Sequence, residues 1–91
     1  MAALEPNYSA QASAALDALE RGADDKLLNA VCDVIDLICD HPGDRRARAE
    51  QLRTALGTPV WKVPVRTFAD DWVVLWWPRD QFADIYYIGS L

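Results

Sequence analysis

The chain has 91 residues, 52% of them hydrophobic and 25% charged, with a net charge of −5 at neutral pH. That leaves room for one core and no disordered tail, so residues 1–91 are expected to form a single domain. No run reaches the roughly 18 apolar residues of a membrane span, and the start MAALEPNYSA lacks the basic and apolar blocks of a signal peptide. The expectation is a cytoplasmic protein with no membrane partner.

The charge is unevenly spread. Residues 1–44 carry nine acids against two bases, whereas residues 45–66 carry Arg45, Arg46, Arg48, Arg53, Lys62 and Arg66 against Glu50 alone. A basic strip on an acidic body can meet phosphate while the remaining surface meets a cationic partner. Arg45, Arg46, Arg48 and Arg53 are therefore candidate RNA contacts, and the competing reading is a solvated helix face.

The first helix is expected from about Ser9 to Arg21, with Asn7 or Ser9 as N-cap and Gly22 ending it in the left-handed conformation. LEPNYSAQ before it does not read as a strand. A second helix is the strongest element: Asp24 or Asp25 caps it, Leu27, Val31, Val34, Ile35 and Ile38 recur at helical spacing, and His41, Pro42 and Gly43 stop it. Its other side gathers Asp33, Asp36 and Asp40 into an acidic stripe, suited to solvent or a basic partner. His41 is expected to be structural, at a helix C-terminus where a cation is favoured. Cys32 and Cys39 lie about 10 Å apart along this helix, too far for a disulfide, and are expected as buried free thiols. Ala49, Leu52 and Leu56 predict a third helix from Asp44 to about Leu56, closed by Gly57.

From Thr58 the hydrophobic period changes to two and the residues become β-branched and aromatic. Strands are expected at Val60 to Thr67, Asp71 to Pro78 and Ala83 to Leu91. The turns around Phe68 to Asp70 and Arg79 to Gln81 are too short for parallel crossovers, which predicts an antiparallel meander. Pro64 has no amide proton, so the first of these strands should lie at an edge or carry a bulge. Alternation sets Trp61, Val63 and Val65 against Lys62 and Arg66, then Val73, Leu75 and Trp77 against Trp72, Val74 and Trp76, then Tyr86 and Ile88 against Ile85 and Tyr87. The fold class is α+β, with two or three helices on one face of a three-stranded antiparallel meander. The other face would interleave cations with one tryptophan set and one tyrosine, either as a platform for unstacked RNA bases or as packing. An uncovered row of Trp72 or Trp76 would mark a protein interface.

Taken together, a helical hairpin ending in LICDHPGD, then VWKVPVRT, DWVVLWW and a closing IYYIGSL, this order of elements resembles the RelE/ParE superfamily of toxins, in particular its small actinobacterial members. The resemblance implies the toxin component of a toxin-antitoxin pair, as a metal-independent mRNA endoribonuclease that inhibits translation. The alternative is a non-catalytic binding module of the same fold, a ParE-like gyrase inhibitor or a protein-interaction domain. No metal and no cofactor are implied. The implied partners are a cognate antitoxin protein and the ribosome or mRNA, in a homodimer or a heterocomplex with the antitoxin. Carried onto this chain, the resemblance assigns Lys62 and Arg66 as phosphate clamps about 13 Å apart on one strand face, with Tyr86 or Tyr87 as proton donor or stacking ring.

Overall fold

In a computed structural model, which describes residues 3–66 and 71–90, the elements are β1 (Glu5–Tyr8), α1 (Ala10–Arg21), α2 (Asp25–Asp40), a 3₁₀ turn (Arg45–Arg48), β2 (Glu50–Arg53), β3 (Pro59–Val65), β4 (Trp72–Arg79) and β5 (Phe82–Ser90). The strands form one sheet in the order β1-β5-β4-β3-β2, with β1 parallel to β5 and every other pair antiparallel. The class is α+β, as expected, but the sheet is mixed and has five strands instead of three. No helix among the described residues is long and apolar enough to cross a membrane.

Both helices start where their caps dictate. The Ser9 hydroxyl accepts the Ala12 N–H at 3.1 Å, and the Asp24 carboxylate accepts that of Leu27 at 3.0 Å. His41 caps the end of α2, its N–H donating to the Leu37 carbonyl at 2.9 Å. Gly22 ends α1 in an extended conformation (φ −82°, ψ −179°) and not in the left-handed one. Leu27, Val31, Ile35 and Ile38 are buried along one stripe of α2, each contributing roughly 1.5–3 kcal/mol of hydrophobic stabilisation. They meet Val63, Val65, Val74, Trp76, Ala83, Ile85 and Ile88 of the sheet in one core. Asp33, Asp36 and Asp40 lie exposed on the outer side. Both thiols are free, but only Cys39 is buried; seven residues place the two on nearly the same helix face, and the difference lies at the end of α2, where Leu4 joins the core and its N–H donates to the Cys39 carbonyl at 2.8 Å, while Cys32 stays exposed. Burial and the neighbouring carboxylates, Asp36 and Asp33 for Cys32 and Asp40 and Asp36 for Cys39, push both thiols up and keep them protonated.

The expected third helix is replaced by the 3₁₀ turn and β2. A helix of that length carrying three spaced apolar residues is marginal alone, and pairing of Glu50–Arg53 with Pro59–Lys62 wins. Leu56, expected on the helix stripe, is 94% exposed at the hairpin tip. Gly57 closes this hairpin with φ 83°, a conformation that favours glycine. Strand β1 forms from LEPNYSAQ against expectation, because β5 offers it an edge: Glu5 N–H donates to the Gln81 carbonyl and Ser9 N–H to that of Ile85, both at 2.9 Å. Pro64 lies beyond the Glu50–Lys62 pair where β2 ends, so along this stretch β3 is paired on one side only, by β4, although it is an inner strand lower down.

The three later strands hold within a residue or two of the expected bounds, and no helix lies among the described residues between Trp61 and Ile88. The turn expected around Phe68 to Asp70 lies outside the described residues. The second turn is a two-residue hairpin at Asp80 and Gln81, Asp80 adopting a positive φ of 54°. Alternation along β5 is broken by a bulge: Leu75 pairs with Tyr87 but Trp76 with Ile85, so Tyr86 is the extra residue. Ile85 and Ile88 consequently both enter the core, which corrects the expected opposition of Tyr86 and Ile88 to Ile85 and Tyr87.

Candidate functional site: the sheet side away from the helices and an arginine-rimmed groove

Folding distributes the basic strip over separate places. The Arg48 guanidinium lies over the rings of Trp61 and Trp76, at 5.5 and 6.0 Å from their centroids, while its Nε donates to the Pro42 carbonyl at 2.7 Å. Trp77 stacks on Trp61 at 5.6 Å and 21°. Arg48 and these three indoles therefore form a cation–π cluster that holds the 3₁₀ turn to the sheet. Trp76 is wholly buried and Trp72 packs partly buried against the core, which removes the expected uncovered tryptophan row. Arg53 donates to the Gly57 carbonyl at 2.9 Å and braces the hairpin turn. Neither Arg48 nor Arg53 joins the other arginines.

Both helices pack on the side of the sheet that carries Val63, Val74, Ile85 and Ile88. Register places Lys62 opposite Leu75 and Leu75 opposite Tyr87, so these three form one row across the other side. Two strand spacings separate Lys62 from Tyr87, about 10 Å. Lys62 Nζ pairs with Glu50 at 3.4 Å across β2 and β3. The Tyr87 hydroxyl donates to the Ser90 carbonyl at 2.6 Å, and its ring lies over Gly89, where a Cβ would stand 2.7 Å from the phenol oxygen. Tyr86, at the bulge, is 37% exposed. On the same side Arg79 covers the Phe82 ring at 5.5 Å and binds Asp84 at 2.7 and 3.3 Å; Asp84 also accepts from Asn7. Arg79 and Asn7 hold the Asp84 carboxyl below its usual range, an arrangement that ties β1 to β5 and that no pattern in the sequence announced.

Arg66 parts company with Lys62. Strand β3 ends at Val65, so alternation no longer directs Arg66, which instead lines a groove with Arg45 and Arg46. The groove has a volume of about 450 Å³. Its floor is aliphatic, from Val34 and Leu37 of α2 and Val63 of β3, and Asp33 stands on its wall. Sequence spacing identified the arginines but not the floor, because α2 and β3 meet only in the folded chain. Asp44 caps the 3₁₀ turn through the Arg46 N–H at 2.9 Å and grips the Arg46 side chain at 3.1 and 3.2 Å. Those bonds to Arg46 hold the Asp44 carboxyl down at about 2, from an ordinary 3.8. A depressed carboxylate contributes stability above its unfolded pKa and loses it as pH falls through the folded one. The Arg46 anchor is thus expected to release between about pH 4 and pH 2, with an Asp44 carboxyl NMR midpoint near 2; a midpoint near 4 would mean that the pair does not form.

No protein-family profile, no curated protein and no solved structure matches this chain. Among the described residues no group of three or more His, Cys, Asp or Glu side chains is placed to hold a metal ion.

Proposed function

We propose that this chain is the toxin component of a toxin-antitoxin pair and acts as a metal-independent endoribonuclease on mRNA, with the helix-free side of the sheet as its substrate surface. The observation that supports this reading is the Lys62–Leu75–Tyr87 row, which joins a cation and a phenol from strands 25 residues apart in the sequence. In such a reaction the RNA 2′-hydroxyl gives its proton to solvent water as its oxygen attacks the adjacent phosphorus, and the bond to the 5′-oxygen breaks, leaving a cyclic phosphate and a free 5′-hydroxyl. Lys62 would stabilise the added negative charge, and Tyr87 would deliver a proton to the departing oxygen. Substrate would have to replace Glu50 at Lys62 and the Ser90 carbonyl at Tyr87. Tyr86 flanks the row as a stacking ring. The antitoxin would be the neutralising partner.

A second reading, a non-catalytic binding module, is favoured by one observation: Lys62 and the Tyr87 hydroxyl both already have intramolecular partners. The two separate in a cell-free translation extract. Cleavage is expected to leave 5′-hydroxyl ends, and Lys62→Ala and Tyr87→Phe should each slow it about a hundredfold. The Lys62 change removes a partly exposed ion pair and should leave stability within about 1 kcal/mol. Intact RNA with the parent chain, or full cleavage by both variants, would transfer the chain to the binding-module class.

A further inference from the structure

The groove between α2, the 3₁₀ turn and β3 does not share a residue with the Lys62–Tyr87 row, and its chemistry differs. We propose that it is a docking site for a protein segment that presents an aliphatic side chain flanked by carboxylates. The floor of Val34, Leu37 and Val63 offers apolar surface in an open groove of about 450 Å³, a size that falls within the range of ligand sites. Arg45 and Arg66 line the same groove, and their guanidinium forks match carboxylates two bonds at a time. On a chain of net charge −5, this arginine cluster is where an acidic segment meets opposite charge.

Nucleic acid fits the groove less well. Single-stranded RNA is held by bases stacked on aromatic rings, and every apolar side chain lining this groove is aliphatic. Asp33 on the wall also opposes a run of phosphates, whereas a peptide can place its carboxylates only where the arginines stand. A second copy of the chain is a poor occupant too. Among the described residues the leucine it presents to solvent is Leu56, 94% exposed, but the charge nearest to it in sequence is Arg53, which the arginine rim would repel.

The test is fluorescence anisotropy on the full chain with a labelled synthetic peptide of sequence Glu-Asp-Leu-Leu-Glu-Asp. A peptide with lysines for the acids, a peptide with serines for the leucines and an oligouridylate serve as comparisons. The acidic leucine peptide is expected to bind and the other two peptides to bind at least tenfold more weakly. Arg45→Glu with Arg66→Glu should weaken it by a similar factor, and Arg45→Gln with Arg66→Gln by less, while Arg21→Glu on α1 leaves it unchanged. Circular dichroism checks that each variant is folded; the glutamine pair, which reverses no charge, carries the test if the glutamate pair is not. Affinity unaffected by either pair, equal binding of the serine peptide, or displacement of the peptide by oligouridylate would overturn the proposal. So would self-association that the arginine changes abolish, which would give the groove to a second copy. RNA cleavage is read separately, so failure here leaves the ribonuclease reading standing, and the reverse holds.

Discussion

Trp76→Ala is expected to cost about 4–8 kcal/mol, a large part of the protein's stability. The side chain has no exposed surface, and its indole N–H donates to the Ala47 carbonyl at 2.7 Å, joining the core of the sheet to the 3₁₀ turn. Truncation of a buried Trp costs about 3–5 kcal/mol through lost transfer energy and the remaining cavity. An unpartnered buried carbonyl adds about 1–3 kcal/mol. A domain of this size has a total stability of roughly 5–13 kcal/mol at ordinary values per residue, so the loss consumes a large part of it. Trp76→Phe keeps most of the volume and forfeits the hydrogen bond, so a smaller loss of about 1–3 kcal/mol is expected. Urea unfolding followed by circular dichroism measures both. A loss below about 1 kcal/mol for Trp76→Ala would mean that the 3₁₀ turn is held by something other than this indole.

Gln11→Ala should cost about 1–3 kcal/mol, a large effect for an exposed residue. Strand β1 stops pairing at Tyr8, opposite Ile85, which leaves the next stretch of β5 without a neighbouring strand. The Gln11 side-chain amide takes over that edge. Gln11 Nε2 donates to the Ile88 carbonyl at 2.8 Å and its Oε1 accepts the Ile88 N–H at 3.0 Å, imitating one residue of a paired strand. Ser9 acts beside it, donating to the Tyr86 carbonyl at 2.7 Å while it caps α1. Gln11→Glu keeps the acceptor and loses the donor, so an intermediate cost is expected. Amide hydrogen exchange reports the site directly: the Ile88 N–H should exchange faster in Gln11→Ala, and unchanged protection would show that the side-chain pairing does not hold β5.

The candidate site was legible in part. Lys62 and Tyr87 were readable as a cation and a phenol on strands, and Arg45, Arg46 and Arg66 as a basic cluster. Which of them meet was not readable. The bulge at Tyr86 turns Tyr87 onto the Lys62 side, and the end of β3 at Val65 frees Arg66 to line the groove. Arg48 and Arg53 carry the same charge as their neighbours, yet one is taken up by indoles and the other by a turn carbonyl. Composition cannot distinguish a cation that faces solvent from one whose hydrogen bonds are already used.

Helices α1 and α2 were determined locally. Ser9 and Asp24 supply the capping oxygens, and the repeat of Leu27, Val31, Ile35 and Ile38 places one stripe toward any apolar surface. Strands β3, β4 and β5 were equally plain, since β-branched and aromatic residues with short turns between them leave antiparallel pairing as the available arrangement. Strands β1 and β2 were decided by tertiary structure. Glu5–Tyr8 is exposed at every residue and contains a proline, and Glu50–Arg53 sits within a helix-like pattern, so neither carries a preference of its own for strand. Each became a strand because β5 and β3 presented unpaired N–H and C=O groups at their edges. Hydrogen bonding to such an edge depends on the partner being folded, and it is therefore invisible in the four residues that complete it.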